Sequence, residues 1–308
     1  MRIEILGSAA GGGFPQWNCG CANCAAVRAG TFPGKARTQT QVAVSNDNQS
    51  WYLLNASPDL RLQIEATPAL HPRGIGRHSP IKGVVLTSAD LDQIAGLLSL
   101  RELQPFRIYC TPSLRRILCE HNSMLAMLNR APNQVVWMEI KPDENFPLVS
   151  VEGEDSGLCC EPFPLGSRYP AYVGDRSAEL SPREAALGLL LSSSSGGRLA
   201  YLPAVPGVDD SLLRRLDSAD LLLFDGTFWS DDELIRVQGQ GATAREMGHI
   251  SVSSEQGSLR RLAGLRRPRK IFLHVNNTNP MLNEAGPQYA EARAAGWEIA
   301  EDGWTFDL

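Results

Sequence analysis

The chain has 308 residues, a net charge of −5, 43% hydrophobic and 20% charged residues, a make-up that fits a globular protein with a full core and room for one large α/β domain or two small ones. The negative charge argues against nucleic acid or an anionic membrane surface as a partner. No apolar run approaches the ~20 residues that span a bilayer, which excludes membrane insertion, and the N-terminus lacks a signal pattern. The seven cysteines form no secreted disulfide framework, so the expected compartment is the reducing cytoplasm.

Residues 1–6 (MRIEIL) predict a short strand that runs into the loop GSAAGGGFPQWNCGCANC, residues 7–24. Gly11, Gly12 and Gly13 permit positive φ and close backbone approach, as a functional loop requires. Cys19, Cys21 and Cys24 follow with C-x-C-x2-C spacing. Three thiolates so close in a loop suit a tetrahedral thiophilic ion, zinc above all, with a fourth ligand arriving from elsewhere in the chain.

Residues 39–44 (QTQVAV) and 51–54 (WYLL), separated by the turn chemistry of Asn46-Asp47-Asn48, predict a hairpin. A helix over 60–65 follows, with Ser57 as its cap. Residues 81–86 (IKGVVL) predict a buried strand, followed by TSADLDQ and a helix over 94–101. Further strands fall at 106–110, 135–140 and 159–165, with a helix over 113–121. Cys110, Cys119, Cys159 and Cys160 are scattered through these patterns and belong to the core. Residues 171–183 form a polar loop. Strands follow at 186–191, 199–202, 221–224 and 270–273, with a helix over 211–216 and another capped near Ser251 or Ser253. No short repeat, low-complexity tract or linker interrupts the chain. Strands that first pair as hairpins and later alternate with helices predict a layered α/β sandwich in one domain, residues 1–308.

Several strands end in a polar side chain: Asn55, the pair Asp90 and Asp92, Asp225, and His274. A strand tip holds its side chain on rigid backbone while the loop beyond stays open to ligand. Asp92 and Asp225 with His274 would make a hard-to-borderline site for iron, manganese or zinc.

The segments GSAAGGGFPQWNCGCANC, RTQTQVAV, LNASPDLR, AGLLSLRE, LLLFDGTFW, REMGHIS and HVNNTNP together resemble the coenzyme PQQ biosynthesis protein B family, over nearly the whole chain. The resemblance implies a metallo-β-lactamase-like αββα four-layer sandwich. That fold's hallmark His-x-His-x-Asp-His loop aligns with residues 88–93, where Ser88 and Asp90 replace the leading histidines, Asp92 stands, and Gln93 takes the last position. An ordinary dinuclear zinc hydrolase is therefore not expected.

The resemblance further implies a part in making pyrroloquinoline quinone (PQQ), by hydroxylation of the tyrosine ring of a cross-linked Glu–Tyr precursor with non-haem Fe(II) or another divalent metal. The alternative is a carrier moving PQQ or its precursor towards the periplasm without catalysis. Asp92 and His274 are then direct metal ligands, Asp225 a third or bridging one, and Gln93 a weak amide ligand or a hydrogen-bonding neighbour. Asp90 is a ligand or general base, and His249 a residue for proton transfer or substrate binding. The acidic precursor would meet Gly11, Gly12, Gly13, Asn55, Arg61 and Arg101. In related branches a histidine three residues past the strand-tip histidine completes the cysteine zinc site; that position is Asn277 here, and water, Asn277 or His274 itself could fill it. Other PQQ biosynthesis proteins are expected partners. The oligomeric state stays open, a homodimer included.

Overall fold

The computed structural model describes residues 1–308. Its strands are β1 (Arg2–Gly7), β2 (Gln41–Ser45), β3 (Trp51–Leu54), β4 (Ile81–Val85), β5 (Phe106–Cys110), β6 (Val135–Glu139) and β7 (Phe146–Val149). Then come β8 (Asp155–Gly166), β9 (Ala186–Ser193), β10 (Arg198–Leu202), β11 (Leu221–Asp225), β12 (Arg269–Leu273), β13 (Trp297–Ile299) and β14 (Trp304–Asp307). The chain divides into two compact units, each discontinuous in sequence. The first comprises Met1–Leu6, Gln41–Gly197 and Gly303–Leu308, the second Gly7–Thr40 and Arg198–Asp302.

In the first unit the strand order is β14-β1-β2-β3-β4-β5-β6. The β1–β14 and β2–β3 pairs are antiparallel, while β3 to β6 run parallel. The β2–β3 hairpin forms as the sequence indicates, because Asp47 Oδ1 accepts the N–H groups of Gln49 and Ser50 at 2.7 and 2.8 Å. The core sets Trp51, Leu53, Val84 and Ile108 of the strands against Leu60, Ile94, Leu97, Leu114 and Ile117 of the helical segments. Each such side chain contributes on the order of 1.5–3 kcal/mol when fully buried. Strands β7, β8 and β9 add an antiparallel meander.

Three local expectations are corrected here. Ser57 does not cap the helix Leu60–Ala66 with its side chain; its hydroxyl goes to Gln63 Oε1 at 2.8 Å. The helix expected over 94–101 is a single turn, Leu91–Ile94, continued as a tighter 3₁₀ stretch, Ala95–Leu100. Gly96 explains the change: a Cβ there would stand 2.1 Å from the Ser57 carbonyl oxygen, so the backbone is drawn in against residues 56 and 57. Residues 171–179, expected as loop, form 3₁₀ turns about the left-handed Gly174.

The second unit holds the parallel run β10-β11-β12-β13, with Asp225 opposite Leu273 in register. Phe272 stacks on Trp297 at 3.9 Å and 10°, and Phe224 meets the same indole edge-on. The helix Asp210–Leu216 is capped by Asp209, whose Oδ1 accepts from Leu212 N at 2.7 Å. The helix expected to start near Ser251 or Ser253 begins instead at Ser258, because Ser251 bonds Ser254 and Ser253 bonds the Trp229 carbonyl. Parallel strands present their carboxyl ends along one edge, the usual place for a ligand in such a sheet. Asp225 ends β11 there, and His274 follows β12.

Candidate functional site

The second unit carries two clusters of metal-binding side chains. In the first, the Sγ atoms of Cys19, Cys21 and Cys24 lie within 4.8 Å of one another. Local structure sets them: Cys21 is the N-cap of the helix Ala22–Arg28, so its sulfur accepts the Cys24 N–H at 3.5 Å while Cys19 Sγ accepts the Cys21 N–H at 3.5 Å. The Arg28 guanidinium holds the loop from outside through the carbonyls of Gln16 and Cys19. Asn23 Nδ2 reaches the carbonyls of Asn277 and Asn279 at 3.1 and 3.2 Å and pins the loop to the segment after β12.

The Asn277 amide faces all three sulfurs, with Nδ2 at 3.1 Å from Cys19, 3.7 Å from Cys21 and 3.3 Å from Cys24. A half-turn of the Asn277 amide brings its acceptor oxygen, Oδ1, to face the sulfurs instead. Three soft thiolates with one oxygen donor fit zinc. Burial pushes the Cys21 thiol up to about 11. At Cys19 burial also works upward, but the Cys21 N–H and the side chains of Cys21, Cys24 and Asn277 outweigh it, so this thiol is lowered. Cys19 is therefore the more acidic of these two thiols.

The second cluster is Asp225, His249 and His274, all buried, with ligand atoms again within 4.8 Å. Asp225 comes from the end of β11. His274 takes the left-handed φ of +58°, rare away from glycine and typical of a side chain held for function. His249 arrives on the loop after Gly248, whose φ of +87° turns the chain, and Ile250 N donates to the Val205 carbonyl at 2.5 Å. The two imidazoles stack at 5.5 Å and 21°. His249 Nδ1 lies 2.8 Å from Asp225 Oδ2. Val205 N also donates to that oxygen at 2.8 Å, while Oδ1 accepts Thr227 N at 3.0 Å and Thr227 Oγ1 at 2.6 Å. Thr227 Oγ1 is in turn 3.1 Å from His249 Nδ1 and 2.8 Å from His274 Nδ1. Burial works to lift the Asp225 carboxyl, but the charge and hydrogen bond of His249, with His274 and Thr227 behind it, hold it below the usual carboxylate range. Two imidazoles and a carboxylate fit a borderline divalent ion such as iron, manganese or zinc.

Thr227 carries no signal in the sequence beyond its place two residues past Asp225 in DGTFW. His249, expected in proton transfer or substrate binding, stands here as a third donor beside Asp225 and His274. His274 stands with Asp225 and His249, while Asn277 stands over the cysteines.

The remaining candidates lie as follows. Gly12 and Gly13 are left-handed, with φ of 93° and 71°, and Gly12 N donates to Gln39 Oε1 at 3.1 Å; Gly11 is exposed. In the first unit Asn55, at φ 67°, commits its amide to Thr87, giving Nδ2 to the hydroxyl at 2.9 Å and accepting the N–H at 2.8 Å. Gln93 is buried and its Oε1 is engaged by the hydroxyls of Thr87 and Ser88 at 2.7 and 3.1 Å. The Ser88 hydroxyl also reaches Asp90 Oδ2 at 2.6 Å. Asp92, in the turn Leu91–Ile94, is half-buried. Arg61 and Arg101 are exposed, the latter bonded to the Leu98 carbonyl and paired with Glu102.

The beta-lactamase superfamily domain matches residues 50–275. Coenzyme PQQ synthesis protein B of Methylorubrum extorquens is 43% identical over 309 residues, covering 100% of both chains. The protein of the same description from Pseudomonas entomophila is 42% identical, again over the whole of both chains. Among solved structures, Zn2+-bound PqqB of Methylobacterium extorquens superposes with a TM-score of 0.91 at 42% identity and 100% coverage of each chain. A diphosphatase of the PhnP family follows the same fold, with a TM-score of 0.66 at 20% identity, covering 100% of this chain and 97% of its own.

Proposed function

This chain belongs to the coenzyme PQQ synthesis protein B family, with the metallo-β-lactamase-like α/β sandwich of its superfamily, and from that premise we propose that it is a metal-dependent hydroxylase acting on the tyrosine ring of the cross-linked Glu–Tyr precursor of PQQ. Its place in PQQ biosynthesis follows from full-length relatives of that description. The observation that carries the enzymatic reading is the buried convergence of Asp225, His249 and His274 at the carboxyl edge of a parallel sheet.

A divalent metal there, Fe(II) for hydroxylation, supplies redox and Lewis-acid chemistry. The chain's own residues prepare the place. Both imidazoles have Nδ1 engaged within the cluster, His249 with Asp225 and Thr227 and His274 with Thr227, so their rings are held in place before a metal binds. The Asp225 carboxylate holds the His249 ring in place, as carboxylates do for metal-binding histidines. Cys19, Cys21 and Cys24 with Asn277 hold zinc in a structural role, supported by the zinc in the similar structure and by the donor set. Asp90, Asp92 and Gln93 keep the ligand and base roles that the resemblance implies. Gly11, Gly12, Gly13, Asn55, Arg61 and Arg101 keep that of receiving the acidic precursor, and the exposed guanidiniums of Arg61 and Arg101 suit carboxylates best. Partner proteins of the pathway, a cytoplasmic setting and one domain over 1–308 complete the reading, with the oligomeric state open to a homodimer; no helix is long and apolar enough to cross a membrane.

The test is anaerobic loading with Fe(II), then addition of the cross-linked precursor, a two-electron reductant and O2, whose second oxygen atom leaves as water, read by mass spectrometry. A gain of ring oxygen that disappears in His274→Ala supports the proposal. Precursor or PQQ binding without any oxygenated product, from protein shown to hold iron, sinks it and favours the carrier.

A further inference from the structure

We propose that a cleft beside the helix Glu233–Gln238 is a binding site for a small organic ammonium ion, a primary amine carried on an apolar body. The site stands apart from the metal centre and from the hydroxylase reading. The cleft encloses about 560 Å³, a volume usual for small-molecule sites. Trp229, Val237 and Pro280 line it with apolar surface, and Gln288, on the helix Pro287–Ala294, adds a neutral amide. Glu233 and Arg236 bring the only charged side chains of its lining.

Glu233 sets the sign of the ligand. The residue is 4% exposed. Its Oε1 accepts the Thr278 hydroxyl at 2.5 Å and its Oε2 the Trp229 N–H at 2.6 Å, with the Ser230 N–H a weaker third donor. All three donors are neutral. The Arg236 guanidinium turns elsewhere, to Asp232 Oδ1 at 3.1 Å and to the Ser230 hydroxyl. Burial outweighs those hydrogen bonds and the Arg236 charge, and pushes the Glu233 carboxyl up to about 7. The wall of the cleft thus holds a carboxylate with no cation bonded to it, whereas buried charges are ordinarily paired. A carboxylate offers about four lone-pair sites, so it has acceptor capacity left for an N–H of a ligand.

The other walls decide which cation. A divalent metal calls for several carboxylates or imidazoles, and Glu233 is the single such group in the lining. An organic ammonium ion uses everything the cleft presents. Its charge meets Glu233, its body the apolar side chains of Val237 and Pro280, and the indole of Trp229 adds the attraction of an aromatic ring for a cation. An anion would face the Glu233 charge while the guanidinium across from it is already neutralised by Asp232.

The test is titration of the full chain, supplied with zinc, with phenethylamine, read by calorimetry and by NMR shifts of the Val237 and Gln288 backbone amides. Saturable binding that moves both amides is expected. Phenethyl alcohol, of the same shape without the charge, and phenylpropionate, with the opposite charge, should each bind at least roughly tenfold more weakly, as loss of a hydrogen bond to a charged group implies. Glu233→Gln keeps the shape and can still bond Trp229 and Thr278; it should weaken the amine by the same factor. His274→Asn should bind it as wild type does. Absence of saturable shifts overturns the proposal, as does equal affinity for the amine and the alcohol, or for wild type and Glu233→Gln. Binding that weakens in His274→Asn and leaves the two amides unmoved would put the amine at the metal centre and overturn it as well. If Glu233→Gln does not fold, the three ligands on the wild-type chain decide in the same way. Amine binding by a chain that never oxygenates the precursor would defeat the hydroxylase reading and leave this one standing.

Discussion

The two clusters of the second unit share one stretch of backbone and differ in almost everything else. His274 belongs to one and Asn277, three residues on, to the other. The cysteine cluster is local: its sulfurs come from six consecutive residues, and a helix N-cap orders two of them without any distant contact. The histidine cluster is assembled from three separate segments, with Asp225 and His249 24 residues apart and Thr227 and His274 47 apart. A local site can be read from spacing and is held by its own loop; an assembled site exists only when the sheet beneath it is intact. The comparison predicts that damage to the first shows as lost stability, and damage to the second as lost chemistry.

The largest effect should come from Cys24→Ala. Cys24 is fully buried, and its loss removes one of the three thiols of the proposed zinc site. Zinc content should fall from one per chain to near none, and stability by several kcal/mol, since binding energy in such sites is folding energy. Unchanged zinc and unchanged melting would abolish the distinction drawn above.

Next in size is a pH effect at Glu233, which braces the shared segment. Its Oε1 accepts the Thr278 hydroxyl at 2.5 Å and its Oε2 the Trp229 N–H at 2.6 Å. Burial raises this carboxyl from 4.5 to about 7. The folded chain therefore binds a proton that the unfolded chain releases between those values. The stabilisation is complete below pH 4.5 and is lost as pH rises to about 7, by on the order of 3 kcal/mol. Glu233→Gln, which cannot ionise, should flatten that part of the stability profile measured by urea unfolding from about pH 4.5 to 8. A profile as steep as wild type would mean another group is responsible.

Asn277→Ala should weaken zinc at least roughly 10–100-fold while leaving the three thiolates to hold it, as read by chelator competition. An equal zinc affinity would show that the amide is no ligand. The smallest change in stability, within about 1 kcal/mol, should follow His274→Asn, because asparagine tolerates the left-handed backbone at that position. Zinc should stay at one per chain while Mn(II) or Fe(II) binding and turnover vanish. Zinc loss in this variant would contradict the separation of the two centres.

These differences also mark what could be read from the residues alone. Cys19, Cys21 and Cys24 were legible as a cluster because three thiols at close spacing need no knowledge of the fold. Asp225 and His274 were legible as polar residues at the ends of apolar strands, and the parallel register of β11 and β12 then makes them neighbours. The fourth partner of the cysteines had several candidates because it lies more than 250 residues away in sequence. Thr227 stayed hidden because its role lies in which atoms share one hydroxyl, a matter of ångströms. The helix expected over 94–101 failed for a similar reason: Gly96 is pressed against the Ser57 carbonyl, an approach no local propensity reports.

The distance between the cysteines and Asn277 has a consequence for the chain as it is being made. The thiols leave the ribosome some 253 to 258 residues before the amide that covers them. At ordinary elongation rates of about 5–20 residues per second they wait roughly 10–50 s without it. Nascent chains arrested before residue 277 should therefore react with an alkylating probe at all three cysteines, and chains released after it should be shielded once zinc is supplied. In the cell, that interval is when metal supply and oxidant have their strongest claim on this protein.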